Sequence, residues 1–131
     1  MRAMVVAAAL AMTGGAAMAE GNPLERYVWQ ARVLVVSAPD AGDARLAAQR
    51  QALASARTGV SERDLVTVEA VGGDAEAMAI RKRLGLPADA FRAVLVGKDG
   101  GAKLTSAEPI PPQRLFSTID AMPMRKDEMR R

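Results

Sequence analysis

Short apolar runs alternate along the chain with longer segments whose apolar residues recur at helical spacing. Val33-Leu34-Val35-Val36 is continuous and rich in β-branched residues, which predicts a strand buried on both faces and ending at Ser37. Leu65 to Val71 (LVTVEAV) reads as a second strand, with Val66, Val68 and Ala70 on one face and Thr67 and Glu69 on the other. Phe91 to Val96 gives a third, with a continuous apolar centre. Asp99-Gly100-Gly101 then forms a hairpin turn into a fourth strand over Ala102 to Ser106.

The intervening segments carry helix signals. Asn22 to Gln30 (NPLERYVWQ) opens on Asn-Pro and predicts a short lead-in helix, which Tyr27 and Trp29 are expected to pin to the sheet; an exposed Trp29 would instead suggest a partner-binding hot spot. Asp43 to Arg57 predicts one helix, capped by Asp43, with Leu46 and Leu53 on one face and Gly59 ending it. Gly72-Gly73-Asp74 is a turn and cap before a helix carrying Ala77, Ile80 and Leu84, which Gly85 and Pro87 stop. Pro111-Pro112 opens a last helix with Leu115, Ile119 and Met122 on one face, and Pro123 interrupts it. The order is β-α-β-α-β-β-α behind a lead-in helix. It predicts one α/β domain in three layers, with right-handed crossovers between parallel strands in its first half and a hairpin in its second.

The first nineteen residues are read separately. Arg2, an apolar run from Ala3 to Met12, the break Thr13-Gly14-Gly15 and the small-x-small triplet Ala17-Met18-Ala19 make a signal peptide cleaved after Ala19. An uncleaved membrane anchor is the alternative, at the short end of the roughly 17–25 residues that a spanning helix needs. The domain is then residues 20–131, a length at which a chain folds without disulfides. A leader on an Ala/Arg-rich chain places the protein in the periplasm or outside the cell.

Composition closes off several chemistries. The chain has no histidine and no cysteine, so Ser-His-Asp and Cys-His nucleophilic catalysis, zinc sites built on those residues and thiol redox are all ruled out. A formal net charge of +3 is no footprint for nucleic acid, which calls for basic residues clustered on one face.

The element order resembles the thioredoxin fold, and "FRAVLVGKDGGAKLT" is similar to that fold's third-strand hairpin. "RVLVVSAPD", "LVGKDGGAKL" and "IDAMPMRKDEM" resemble more closely the family known as domain of unknown function 4174, over roughly Leu24 to Met129. The resemblance implies small secreted bacterial proteins and a related domain in vertebrate extracellular-matrix proteins, with a thioredoxin-like fold and a mixed four-stranded sheet. It brings no catalytic residues. Asp40-Ala41-Gly42-Asp43 stands about where a thioredoxin has its Cys-x-x-Cys, and Phe91-Arg92 stands where the cis-proline is expected.

Two places are candidates for function. The turn from Ser37 to Asp43 lies at the carboxyl end of a central strand, where open α/β sheets hold ligands. There Asp40 and Asp43 are a carboxylate pair for acid/base work or a hard cation, or simply a solvated loop residue and a helix cap. Arg92 is expected to pair with one of them and, with Phe91, to close the groove. The other candidate is the C-terminal DAMPMRKDEMRR. Met122, Met124 and Met129 offer thioethers that suit Cu(I) or plain packing, and Arg125 and Lys126 head a basic tail end expected to be solvated. The favoured reading is a non-enzymatic, thioredoxin-like module for a protein or peptide partner in the periplasm. It needs no cofactor or metal, has no catalytic residues, and makes no stable membrane association once the leader is gone. The alternative is a small-ligand or hard-metal binder, or an enzyme, working through Asp40, Asp43 and Arg92.

Overall fold

The computed structural model describes residues 21–131, so the signal peptide and its cleavage after Ala19 lie outside the described residues. Four strands form one sheet: β1 (Arg32–Ala38), β2 (Leu65–Val71), β3 (Arg92–Val96) and β4 (Ala102–Ser106). Five helices join them: α1 (Ala44–Ala54), α2 (Arg57–Glu62), α3 (Ala75–Leu84), α4 (Pro112–Asp120) and α5 (Pro123–Met129). The strand order is β2-β1-β3-β4, with β1 parallel to β2 and antiparallel to β3, and β3 antiparallel to β4. The sheet is mixed and the fold thioredoxin-like.

All seven residues of β1 are buried, as a central strand covered on both faces requires. Its side chains alternate between two cores. Leu34, Val36 and Ala38 pack with Leu46 of α1 and with Leu115 and Ile119 of α4. Val33 and Val35 pack with Ala77 and Ile80 of α3 and with Leu24. On β2, Val66, Val68 and Ala70 all join the α3 side, as the alternation predicts. The hairpin between β3 and β4 closes with the Gly97 amide donating to Gly101 O (2.9 Å), and Gly100 takes φ 87°, which suits glycine.

Four expectations need correction. Only β1 and β2 are parallel; the α3 connection returns the chain antiparallel to β1, so the first half holds one parallel crossover. The lead-in helix is a single 3-10 turn, Glu25–Tyr27. The predicted helix from Asp43 to Arg57 breaks after Ala54, and Gly59 lies inside α2 rather than ending α1. A Cβ at Gly59 would come within 2.6 Å of Phe116 Cε2, so this glycine answers a close approach of α4, not a helix stop. Trp29 is not in the core. Tyr27 is half-buried against the α3 side, but Trp29 is 62% exposed.

Candidate functional site

The turn after β1 is built from local backbone contacts. Asp43 Oδ1 accepts from the Arg45 amide (2.8 Å) and caps α1, and Asp40 Oδ1 accepts from the Gly42 amide (2.8 Å). Strand register does bring Arg92 opposite Ser37. Its Nη1, however, donates to Phe91 O (2.7 Å), and Arg92 forms no ion pair with Asp40 or Asp43, contrary to expectation. Phe91 is buried in the α4-side core, and Ser37 Oγ accepts from Arg81 Nε (2.9 Å). No hydrogen bond or ion pair therefore joins Asp40, Asp43 and Arg92 among the described residues.

Arg81 is what the sequence reading overlooked here. Its guanidinium is buried and also donates to Ala38 O (3.1 Å) and Ala70 O (3.0 Å), tying together the carboxyl ends of β1 and β2. It lies on the α3 stripe at 77, 80, 81 and 84, and that i, i+3, i+4, i+7 spacing was the available signal.

The opposite end of the sheet gathers the unusual chemistry. Arg32 opens β1, Asp64 precedes β2 and Lys98 follows β3, and the register places all three at one edge. Arg32 Nη1 and Nη2 donate to Glu128 Oε1 and Oε2 (3.2 Å each), and Nη1 also donates to Arg63 O (2.9 Å). Lys98 Nζ donates to Glu128 Oε2 (2.8 Å) and Asp64 Oδ2 (2.9 Å). Burial alone would push the Glu128 carboxyl up, but the Lys98 and Arg32 hydrogen bonds outweigh it and hold it below its ordinary value. Burial likewise works against charge on Lys98, and its bonds to Glu128 and Asp64 overcome it and raise its pKa.

The C-terminal segment is thus partly structural rather than a solvated tail. Arg125 Nε donates to Asp120 Oδ1 (3.1 Å) and Nη1 to Glu62 O (3.1 Å), locking α5 onto α4 and α2. Lys126 is exposed, and so is Met129, at half its surface. Met122 packs against the core and Met124 is 39% exposed.

Between the start of α5 and the β3–β4 turn lies a cavity of about 270 Å³. Trp29, Met122, Pro123 and Met124 give it an apolar wall, and Arg32, Lys98, Lys103 and Asp99 are its charged lining. Trp29 is held at φ 66°, a left-handed conformation that costs a bulky residue roughly 1–3 kcal/mol, while its amide donates to Lys98 O (2.6 Å). Among the described residues, no group of three or more carboxylates could hold a metal ion, and no helix is long and apolar enough to cross a membrane.

The family described as Domain of unknown function (DUF4174) matches residues 23–128, nearly all that the structure describes. The chain belongs to the DUF4174 family. The match takes in both the turn after β1 and the Trp29 cavity, along with the Glu128 that anchors α5. The chain is also 32% identical over 120 residues to the Sushi repeat-containing protein SRPX of Rattus norvegicus and to that of Homo sapiens, and 31% identical to that of Mus musculus. These matches cover 81% of this chain and 26% of each relative, so the chain spans about a quarter of their length. No solved structure matches it.

Proposed function

We propose that this DUF4174 protein is an exported, non-enzymatic module that binds protein or peptide partners through the face centred on Trp29. The observation that carries the reading is Trp29 itself: a large aromatic held out of the core, in a strained backbone conformation, beside the exposed Met124. Exposed aromatics and methionines beside a hollow are the usual anchors of contact surfaces. Export rests on the leader pattern of residues 2–19 and on the resemblance to secreted proteins. The reading moves the contact surface away from the turn after β1, whose two aspartates are engaged with backbone amides.

The test begins with the full chain expressed in a bacterial host and purified from the periplasm without chelators. Native mass spectrometry should give the bare mass of residues 20–131; an uncleaved chain overturns export, and a stoichiometric bound ion overturns the module. The purified protein is then panned against a random-peptide phage library. Convergent peptides that bind wild type and Asp43→Ala but not Trp29→Ala support the reading. Enrichment indifferent to Trp29, or none, refutes it.

A further inference from the structure

We infer that the Trp29 cavity captures the free C-terminus of a peptide ending in an apolar residue, with the last side chain on Trp29 and Met124 and the carboxylate on Lys98. The inference rests on the peptide-binding reading above and names what the groove recognises. Size comes first. About 270 Å³ falls just short of the roughly 300–1,000 Å³ of sites for drug-sized ligands, and it suits one or two side chains.

The count of hydrogen-bond donors comes second. An ammonium group carries three N–H donors. Lys98 uses two, on Asp64 and Glu128, and so keeps one. Lys103 has one engaged, on Asp99 Oδ2 (2.9 Å). Arg32, which also borders the cavity, has both terminal nitrogens committed, yet its buried Nε has no partner. Spare donors on neighbouring residues fit a group that accepts through two oxygens.

Charge comes third. The charged residues that line the cavity are three cations, Arg32, Lys98 and Lys103, and one carboxylate, Asp99. Glu128 and Asp64, the carboxylates that pair with Arg32 and Lys98, are not among the lining residues. A monoanion entering the cavity therefore meets three cations and one carboxylate on its wall. Apolar wall, spare donors and a cation-rich lining together describe an apolar residue with a free carboxylate.

Trp29 is the only tryptophan in the chain, so its fluorescence reports occupancy directly. The probes are acetyl-Gly-Gly-Leu as the free acid, the same peptide as its C-terminal amide, and decanoic acid. The free acid should change Trp29 emission saturably, and the amide should bind at least about tenfold more weakly, the size of one lost charge-assisted hydrogen bond. Lys103→Met, which leaves the buried cluster intact, should weaken the acid several-fold and leave the amide alone. Equal binding of acid and amide overturns carboxylate capture but leaves a Trp29-dependent peptide groove standing. Tighter binding of decanoic acid overturns the peptide as the source of the carboxylate. No response to any probe overturns the inference, whereas loss of the groove reading itself would show in the panning as indifference to Trp29→Ala.

Discussion

Replacing Glu128 by alanine removes the one carboxylate shared by Arg32 and Lys98. Arg32 is 1% exposed and would keep a single acceptor, Arg63 O, and Lys98 would keep only Asp64. Removing one partner of a buried ion pair costs about 3–5 kcal/mol, because the other charge stays buried and uncompensated. Glu128 is 20% exposed, so water can enter where it stood, and the expected cost falls to about 2–3 kcal/mol. For a domain of this size that is a fall in Tm of about 8–12 °C. Urea titration followed by circular dichroism should show a lower midpoint at unchanged slope. Hydrogen exchange should rise first in α5, which buries no residue of its own and depends on these contacts. The decisive comparison is Arg32→Met/Glu128→Gln, which removes both charges and should lie within about 1 kcal/mol of wild type. A Glu128→Ala protein within about 0.5 kcal/mol of wild type, or a double variant no better than the single, would refute the argument.

Three further outcomes follow from the same geometry. Gln49 is buried, donates to Ile110 O (3.0 Å) and accepts from the Ile110 amide (2.7 Å), so Gln49→Leu orphans two buried backbone groups and should cost about 2–4 kcal/mol in a urea melt. Asp120 is held below the ordinary carboxylate range by hydrogen bonds from Arg63, then Arg125, against burial, and Glu128 is also held low. A lowered folded pKa stabilises above the unfolded value and is lost on acidification, so Tm should hold from pH 7 to about 5 and fall below about 4.5, less steeply in Asp120→Asn. Trp29→Asn relieves the left-handed strain with a residue that tolerates it, so it should raise Tm by several °C while abolishing the peptide enrichment expected in phage panning.

Most of the fold was legible because β1, β2 and β3 are runs rich in β-branched residues and turn residues mark the hairpin into β4. Leu65–Val71 and Ala102–Ser106 begin and end where the pattern places them. Capping by Asp43 and Asp74 was legible for the same local reason. What failed were readings that need a distant partner. Gly59 looks like a stop until Phe116 is known to lie against it. Trp29 looks like core because aromatics usually are, and no spacing rule reports a left-handed backbone. Arg32 borders the apolar run that starts at Val33, but the strand begins at Arg32 and buries it beside Glu128, far away in sequence.

The turn after β1 raises the question of what holds that end of the fold together without cysteines. Arg81 answers it by hydrogen-bonding Ser37, Ala38 and Ala70, which ties β1 to β2 with no counter-ion required. Asp40 and Asp43 meanwhile serve the loop and the helix start. The unspent chemistry lies at the other end of β1. There the antiparallel return of β3 sets Lys98 beside Arg32, and α5 folds across both through Glu128. Had β3 run parallel to β1, its end would have reached the Ser37 edge and no such cationic pocket could have formed. The reversed strand thus sets the end of the sheet at which a carboxylate can be received, and it does so independently of the turn that the sequence marks out.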